Sequence, residues 1–167
     1  MDIWDKQKRS EVMSKIRSKN TKPEMLLRKA LHARGFRFRV HYKKLPGRPD
    51  IVLPKYRTAI FVQGCFWHGH EGCRSSHIPK TNSGFWSEKI NTNKNRDATN
   101  LSRLNSLGWN VLEVWECEIR KKDKFEAVIG QITASLENQL KKACKVRIYD
   151  SVDNEISLVA EETIHYE

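Results

Sequence analysis

The sequence predicts an α/β fold in which helices flank a mixed sheet, and three observations support this prediction. The chain has 167 residues, about the size of one domain. Its 38% hydrophobic and 31% charged residues are typical of a globular protein and exclude a disordered or fibrous one. Its apolar residues follow helical and strand periodicities in the order helix, three strands, helix, strand, helix.

The first helix is predicted by its capping residues. Thr21-Lys22-Pro23-Glu24 has the pattern of a capping box, in which a threonine and a glutamate three residues later satisfy each other's backbone amides. Gly35 marks the expected end of this helix. Residues 1–20 are basic and polar, which is typical of an arm or a short amphipathic helix.

Three strands are predicted after the first helix. Apolar and basic residues alternate over 36–40, which indicates a strand with one wet, cationic face. Residues 46–49 have the composition of a turn, and 50–53 begin the second strand. The third strand covers 57–62, and its continuous apolar run indicates a central position in the sheet.

The second half of the chain begins with a loop rich in Gly, His and Cys over 63–83. Apolar residues then mark a helical region from Phe85 to Gly108, and 111–115 form a fourth strand. Apolar residues spaced three and four apart over 125–140 predict an amphipathic helix. Two short strands are predicted near the acidic end, over 146–149 and 156–160.

The charge is unevenly distributed along the chain. The net charge is +11, and residues 1–122 hold 26 basic and 11 acidic side chains, a net +15. Residues 123–167 hold 5 basic and 9 acidic side chains, a net −4. The surplus predicts a polyanion partner for the first part, although solubility alone is an alternative explanation. We therefore divide the chain into a basic arm (1–20), a core (21–122) and a C-terminal helix with an acidic extension (123–167), packed as one domain.

The sequence shows no apolar stretch of the roughly 20 residues that a membrane span needs. The first residues, Met1-Asp2-Ile3-Trp4-Asp5-Lys6, lack a signal-peptide core. We therefore expect a cytoplasmic protein without membrane contact. In a reducing compartment, four cysteines favour metal binding over disulfides.

A cluster of cysteine and histidine predicts a metal site. Cys65, His70 and Cys73 lie within nine residues, and Cys117 directly follows the fourth strand. Four such ligands with no open position would hold a structural zinc ion that orders the long loop. His68 and His77 compete for the histidine place, and buried free thiols are the alternative. We expect the remaining cysteine, Cys144, to be an ordinary packed thiol.

Asp50 is a candidate metal-binding carboxylate of a nuclease. Pro49-Asp50 precedes a strand, as in the first half of the Pro-Asp…(Asp/Glu)-x-Lys pattern of restriction-type nucleases, where a carboxylate holds Mg²⁺ against the scissile phosphate. The second half of that pattern is absent, so the base must come from elsewhere, and His68 is the candidate. The alternative is that Asp50 is only a turn residue.

Aromatic residues lie near this histidine. Phe66 and Trp67 directly precede it, and Trp86 lies at the start of the next helix. Aromatic groups among cations can wedge between bases and unstack them, at a cost of a few kcal/mol. Core packing is the alternative, and for Trp86 the two readings remain equally open.

Several blocks of rare residues, taken together, resemble one family. They are Leu45-Pro46-Gly47-Arg48-Pro49-Asp50, Gly64-Cys65-Phe66-Trp67-His68, Phe85-Trp86, Glu88-Lys89-Ile90, Arg96-Asp97, Leu107-Gly108-Trp109 and Val114-Trp115-Glu116-Cys117. The sequence is similar over about residues 5–120 to the very-short-patch repair (Vsr-type) DNA mismatch endonucleases. The resemblance implies a restriction-endonuclease-like sheet with a structural zinc site, and an enzyme that nicks one strand next to a T:G mismatch.

The resemblance also implies roles for individual residues. Asp50 would bind catalytic Mg²⁺ with the backbone carbonyl of Val62, and His68 would act on the attacking water. Glu24 and Asp97 would support the site, although a capping box and a surface pair with Arg96 or Arg103 also account for them. The zinc ligands would be Cys65, His70, Cys73 and Cys117, and the DNA wedge would be Phe66, Trp67 and Trp86.

The chain departs from the family pattern at a few positions. Val62 stands where threonine is frequent, and Gln63 where a second histidine is frequent, which puts an auxiliary acid or base in doubt. Two residues, Glu71 and Gly72, separate His70 from Cys73, a longer gap than in some members.

The expected partner is double-stranded DNA with a T:G mismatch, bound by a monomer that associates with the nucleoid when on DNA. A mismatch-repair protein such as MutL is a candidate partner. Two alternatives remain open: a mismatch-independent nicking endonuclease of a restriction or defence system, and a catalytically inert, zinc-stapled DNA-binding module.

Overall fold

The protein contains one four-stranded mixed sheet, as a computed structural model shows. The structure describes residues 7, 8, 11, 14 and 19–162, with side chains of the last helix described up to Lys142. The strands are β1 (Arg39–Val40), β2 (Ile51–Leu53), β3 (Thr58–Gln63) and β4 (Asn110–Trp115). The helices are α1 (Lys22–Ala33), α2 (Ser83–Ser106), α3 (Glu116–Arg120) and α4 (Lys122–Glu162), with 3₁₀ turns at Pro54–Tyr56 and Arg74–Ser76.

The capping box predicted for the first helix is confirmed. The Oγ1 atom of Thr21 accepts the backbone N–H of Glu24 at 3.5 Å, and the Oε1 atom of Glu24 accepts the backbone N–H of Thr21 at 3.3 Å. These bonds satisfy amides that have no partner inside the helix. The Glu24 side chain lies at this end of α1 and lines a cleft in the protein surface.

The sheet has the order β1-β2-β3-β4, and the central position predicted for the third strand is confirmed. β1 and β2 pair antiparallel, as do β2 and β3, whereas β3 and β4 pair parallel. The parallel pair requires a long crossover, which the loop after β3 and helix α2 provide. The ends of β3 and β4 therefore lie side by side, with Gln63 opposite Trp115.

Both faces of the sheet are buried, which explains the continuous apolar runs of β2 and β3. Ile51 and Leu53 face the larger core, whereas Val52 faces a smaller one with Leu104 of α2. The larger core also contains residues from β3, β4, α1, α3 and the first half of α4, namely Ile60, Val114, Leu27, Leu31, Ile119, Val128, Ile129, Ile132 and Leu136.

The structure corrects two predicted elements. The first strand covers only Arg39–Val40 instead of 36–40, and both of its residues are exposed. The strands predicted over 146–149 and 156–160 are wrong, because α4 continues to Glu162. No glycine or proline follows Gly130, and a helix that has already formed adds further residues at little cost. The short alternations of apolar and polar residues over 146–149 and 156–160 therefore do not end it.

Some predictions concern residues that the structure does not describe in full. The basic arm over 1–20 lies largely outside the described residues, and so does the side chain of Cys144. Among the helices of the described residues, none is long and apolar enough to cross a membrane.

Candidate active site and metal centre

A cleft of about 930 Å³ opens at the sheet edge where α1, the β1–β2 connection, the end of β3 and α2 meet. Four cationic side chains line it. All of its described lining residues lie between Lys19 and Glu116 in the sequence. The residues that line it include Lys19, Glu24, His41, Lys43, Arg48, Asp50, Val62, Trp67, His68, Arg96 and Asp97. The structure thus brings together four residues that the sequence indicated separately: Glu24, Asp50, His68 and Asp97.

Asp50 lies immediately before β2, and Pro49 beside it is fully buried. The Oδ2 atom of Asp50 accepts the backbone N–H of Val62 on β3 at 2.8 Å. Burial raises the pKa of Asp50, and this effect exceeds the opposing effect of the Val62 hydrogen bond. A bound cation would relieve the cost of burying this carboxylate in its charged form, so Asp50 fits a cation site.

His68 and Asp97 form a hydrogen-bonded pair across the cleft wall. The Nδ1 atom of His68 lies 2.6 Å from the Oδ2 atom of Asp97, and both side chains are largely buried. Burial alone would raise the pKa of Asp97, but the hydrogen bond from His68 and the charge of Arg96 hold it below its ordinary value. Asp97 is therefore a charged carboxylate that accepts a hydrogen bond from Nδ1–H, and the Nε2 atom of His68 is left as the basic atom.

Glu24 remains in its capping role and is also paired with a buried arginine. Its Oε2 atom accepts Nη2 of Arg28 at 2.7 Å and the backbone N–H of Asn20 at 3.0 Å. Its Oε1 atom accepts the backbone N–H and the hydroxyl of Thr21. One ligand atom each from Glu24, His41 and Asp50 lies within 4.8 Å of the others, but four donors already use the acceptor positions of Glu24, so a cation bound there would have to displace one of them.

The four zinc ligands predicted from the sequence converge. One donor atom each from Cys65, His70, Cys73 and Cys117 lies within 4.8 Å of the others. The Sγ atom of Cys117 lies 3.5 Å from the Nδ1 atom of His70. Zn–S bonds of about 2.3 Å and Zn–N bonds of about 2.0–2.1 Å at a tetrahedral angle give this same separation, so the donors fit a zinc ion.

We call these four residues the Cys/His cluster, and its surroundings also suit a metal. Burial raises the pKa of the Cys65 thiol to about 12, and burial raises the pKa of Cys117. A cation would reverse this penalty, because a thiolate that coordinates a metal loses its proton. The ring of His70 stacks on Trp115, with the centroids 4.0 Å apart and the planes 4° from parallel.

The loop geometry decides which histidine joins the cluster. His68, one of the two competitors, is held by Asp97, and the other, His77, is exposed. The loop turns at Gly69, where φ is +61° and where a Cβ atom would lie 2.7 Å from both Ile90 and Lys94. Only glycine suits this close approach, and the turn points His68 and His70 towards different sites.

The predicted wedge residues form one aromatic cluster with a fourth member that the sequence reasoning did not assign to the wedge. Phe66, Trp67 and Trp86 contact one another edge to face at 5.1–6.0 Å between ring centroids. Phe85 contacts Trp86 at 5.1 Å and is 59% exposed. Trp67 belongs to this aromatic cluster and also lines the cleft, so the cluster lies at the surface next to the cleft.

Three other residues of the site were also missed. Arg28 and His41 contact Glu24 and Asp50, and Asn93 donates its Nδ2 hydrogen to the carbonyl of Trp67 at 2.9 Å. Arg28 follows Glu24 by four residues, a spacing that signals an ion pair on a helix. No sequence signal places His41, because its contacts reach Asn20, Glu24 and Arg28 across the fold.

The two departures at the end of β3 have different structural consequences. The Val62 backbone N–H is committed to Asp50. The side chain of Gln63 is buried and donates to Oε1 of Glu113 on β4 at 3.3 Å. Gln63 therefore contributes to strand pairing rather than supplying an acid or a base.

Comparison with known proteins identifies relatives that match about three quarters of the chain. The sequence profile described as "DNA mismatch endonuclease Vsr" matches residues 1–74. The type II nicking enzyme V.NmeAIP of Neisseria meningitidis is 53% identical over 121 residues, 72% of this chain and 86% of that protein. The DNA mismatch endonuclease Vsr of Escherichia coli is 46% identical over 124 residues, 74% of this chain and 79% of that protein.

The fold has a counterpart among solved structures. The catalytic domain of the homing endonuclease I-Bth0305I superposes with a TM-score of 0.50 at 21% identity, over 72% of this chain and 99% of that one. This likeness confirms the predicted endonuclease-like arrangement of a mixed sheet with flanking helices.

Proposed function

The chain belongs to the Vsr family of DNA mismatch endonucleases, and we propose that it nicks one strand of DNA next to a T:G mismatch. Its relatives support an endonuclease that acts on DNA. One observation carries the finer proposal: Asp50 and the His68–Asp97 pair share a cleft, lined by four cationic side chains as well as by carboxylates, that borders an exposed aromatic cluster. This combination offers a cation site, a base and a wedge within one groove.

We propose Mg²⁺ as the cation of the cleft, held by Asp50 and by the backbone carbonyl of Val62. Hard oxygen donors of this kind suit magnesium. When bound, the cation neutralises charge that develops on the phosphate and lowers the pKa of a bound water. Glu24 keeps its capping bonds and its pair with Arg28, so its contribution is electrostatic and positional.

His68 is proposed to take the proton of the attacking water at its Nε2 atom. The Asp97 carboxylate orients the ring and stabilises the imidazolium that forms, because its charge is maintained by the hydrogen bond and by Arg96. Asp97 touches His68 and not the substrate, so it is a positioning residue.

Mismatch selection is proposed to use the aromatic cluster. Phe66, Trp67, Phe85 and Trp86 present edges and faces at the border of the cleft, and Asn93 fixes the backbone of Trp67. A T:G wobble pair is easier to unstack than a matched pair, so insertion of these rings favours the mismatched step.

The Cys/His cluster is proposed to hold one structural zinc ion. All four donors come from the chain, so no position remains for water or substrate. Such a site would fix the loop between β3 and α2, which carries Phe66, Trp67 and His68. We also propose that the protein acts as a monomer in the cytoplasm, and that a MutL-like protein is a partner.

The decisive experiment compares two duplexes that differ at one position, T:G against C:G, with Mg²⁺ or with EDTA. We expect a single-strand nick beside T:G only, and only with Mg²⁺. Equal nicking of both duplexes would favour a mismatch-independent nicking enzyme, an activity consistent with relatives named type II nicking enzymes. No cleavage with Mg²⁺ or Mn²⁺ across mismatched duplexes of varied flanking sequence would leave an inert DNA-binding module.

A further inference from the structure

His41 occupies a position in the cleft that the proposed mechanism does not use. It directly follows β1, and its backbone has φ +46°, in the left-handed region that histidine enters less readily than glycine. Its ring lies between the buried Arg28 and Asp50, with 23% of the side chain exposed. Strained non-glycine residues often mark functional sites, so this ring merits a role of its own.

The contact with Arg28 determines which nitrogen of His41 carries the proton. Nη2 of Arg28 lies 3.2 Å from Nε2 of His41. A guanidinium has only N–H donors, so this contact is a hydrogen bond when Nε2 offers its lone pair. The neutral ring therefore carries its hydrogen on Nδ1.

Arg28 is itself held too firmly to move aside for the other tautomer. Its Nη2 donates to Glu24 at 2.7 Å, and its Nη1 donates to Oδ1 of Asn20 at 2.7 Å. Asn20 Oδ1 also lies 3.3 Å from Nε2 of His41 and would accept from a protonated Nε2. A hydrogen on Nε2 would, however, oppose the N–H group of Arg28, whose nitrogen lies 3.2 Å from Nε2.

The Nδ1–H group faces the interior of the cleft. It lies 4.0 Å from Oδ1 of Asp50, too far for a direct hydrogen bond. The described hydrogen-bond contacts of His41 use only Nε2, so Nδ1–H is left to donate to an acceptor oxygen of a ligand in the cleft. Lys19, Lys43 and Arg48 line the same cleft and would offset the repulsion between a bound anion and its carboxylates.

We propose that His41 donates its Nδ1–H to a non-bridging phosphate oxygen of the strand that is nicked, with Arg28 setting the tautomer. This inference rests on the proposed function in that DNA is the ligand. Glu24 thus acts through Arg28 and His41: the carboxylate holds the guanidinium, the guanidinium orients the imidazole, and the imidazole contacts the phosphate.

The first test reads the tautomer directly and needs no enzymatic activity. A long-range ¹H–¹⁵N NMR spectrum of the labelled full chain, recorded near pH 8 where an ordinary imidazole is neutral, distinguishes a protonated Nδ1 from a protonated Nε2. We expect His41 in the Nδ1–H form, and Arg28→Met should abolish that preference. A wild-type ring with its hydrogen on Nε2 overturns the proposal.

The second test uses two isosteric substitutions that separate the ring atoms. The amide nitrogen of asparagine occupies the place of Nδ1, whereas that of glutamine reaches the place of Nε2. A hydrogen bond to a charged group is worth about 1.5–3 kcal/mol, so His41→Gln should lower the nicking rate about 10-fold to 100-fold. His41→Asn should lose about 10-fold less, and His32→Gln, on the exposed end of α1, serves as the unchanged control.

Equal losses in His41→Asn and His41→Gln would overturn the proposal. Because asparagine enters the left-handed region more readily than glutamine, the Tm of both variants is measured too, and a difference in rate that only follows Tm would also overturn it. If the wild-type chain nicks no duplex, the proposed function fails, but the contact between His41 and a DNA phosphate can still be tested by binding. In that case a short duplex is added in EDTA: a downfield shift of the His41 Nδ1–H signal supports the phosphate contact, and an unchanged signal contradicts it.

Discussion

The Cys/His cluster and the Asp50 cleft both gather metal-binding side chains, and they differ in how many of their donor atoms are free. In the Cys/His cluster one donor atom from each of four residues lies within 4.8 Å of the others, which is a complete tetrahedral set. In the cleft, Glu24 uses its oxygens on Arg28 and on backbone amides, whereas Asp50 uses Oδ2 on the Val62 amide and keeps Oδ1 for a cation. A saturated set of donors suits a permanent structural ion, and an unsaturated one suits a cation that also binds substrate.

The two sites share one short loop. His68 and His70 are separated only by Gly69, yet one ring faces Asp97 and the other faces Cys117. Ordering the loop around the Cys/His cluster thus fixes the direction of the proposed base. Substitutions in either site should therefore have separable effects on nicking, zinc content and stability.

Removal of the free carboxylate should have the largest effect. Asp50→Ala takes away the cation ligand, and stabilisation of transition-state charge by a metal is worth several kcal/mol. We expect nicking to fall at least about 1,000-fold, with DNA affinity in EDTA nearly unchanged. Gel-shift and nicking assays on the same preparation separate the two quantities, and nicking by the variant at the wild-type rate would contradict the assignment.

Disruption of the Cys/His cluster should cost stability before it costs chemistry. His70→Gln should reduce the zinc content from about one ion per chain to none and lower Tm by more than about 5 °C, because binding of a structural zinc ion is linked to folding. His77→Gln is the matched control, since His77 is exposed on the same loop. Metal analysis and calorimetry test this prediction, and full zinc content in His70→Gln would refute the ligand set.

Loss of the partner of His68 should have an intermediate effect on nicking. Asp97→Asn replaces a charged acceptor by a neutral amide, so the ring loses its orientation and its stabilised imidazolium. We expect a decrease of about 10-fold to 100-fold in rate with little change in Tm. Glu71→Gln removes a 91% exposed carboxylate that pairs with Lys94 and should leave the rate unchanged. A similar loss in both variants would indicate a general effect of charge.

The smallest expected effect is a change in Tm at Asp50, where the ionised carboxylate serves function but lowers stability. Its pKa in the folded state is raised by burial, so the ionised form costs stability at neutral pH. Asp50→Asn keeps an oxygen for the Val62 amide and removes this cost, so Tm in EDTA should rise by roughly 2–4 °C. As the pH falls through the folded pKa of Asp50 and below its ordinary 3.8, the wild-type carboxyl becomes neutral and the difference should vanish. A lower Tm for Asp50→Asn at pH 7 would contradict the reasoning.

Much of the fold and of the metal centre could be predicted because the signals are local. The start of α1 depends on Thr21 and Glu24, three residues apart, and the burial of β2 and β3 follows from their apolar runs. Three of the four residues of the Cys/His cluster lie within nine positions, so chelation alone constrains them. The strands expected over 146–149 and 156–160 were wrong because short alternation is also compatible with the continuing helix α4.

The amino-acid sequence by itself determined the elements, the charged first part of the chain and the residue types of both sites, because these depend on neighbours a few positions apart. Tertiary structure alone decided which donors are free. The Arg28–His41 contact joins residues 13 positions apart, the hydrogen bond from Asn93 to Trp67 spans 26, and that between His68 and Asp97 spans 29. Such contacts exist only after α1 and α2 pack on opposite faces of the sheet, so sequence periodicity carries no record of them.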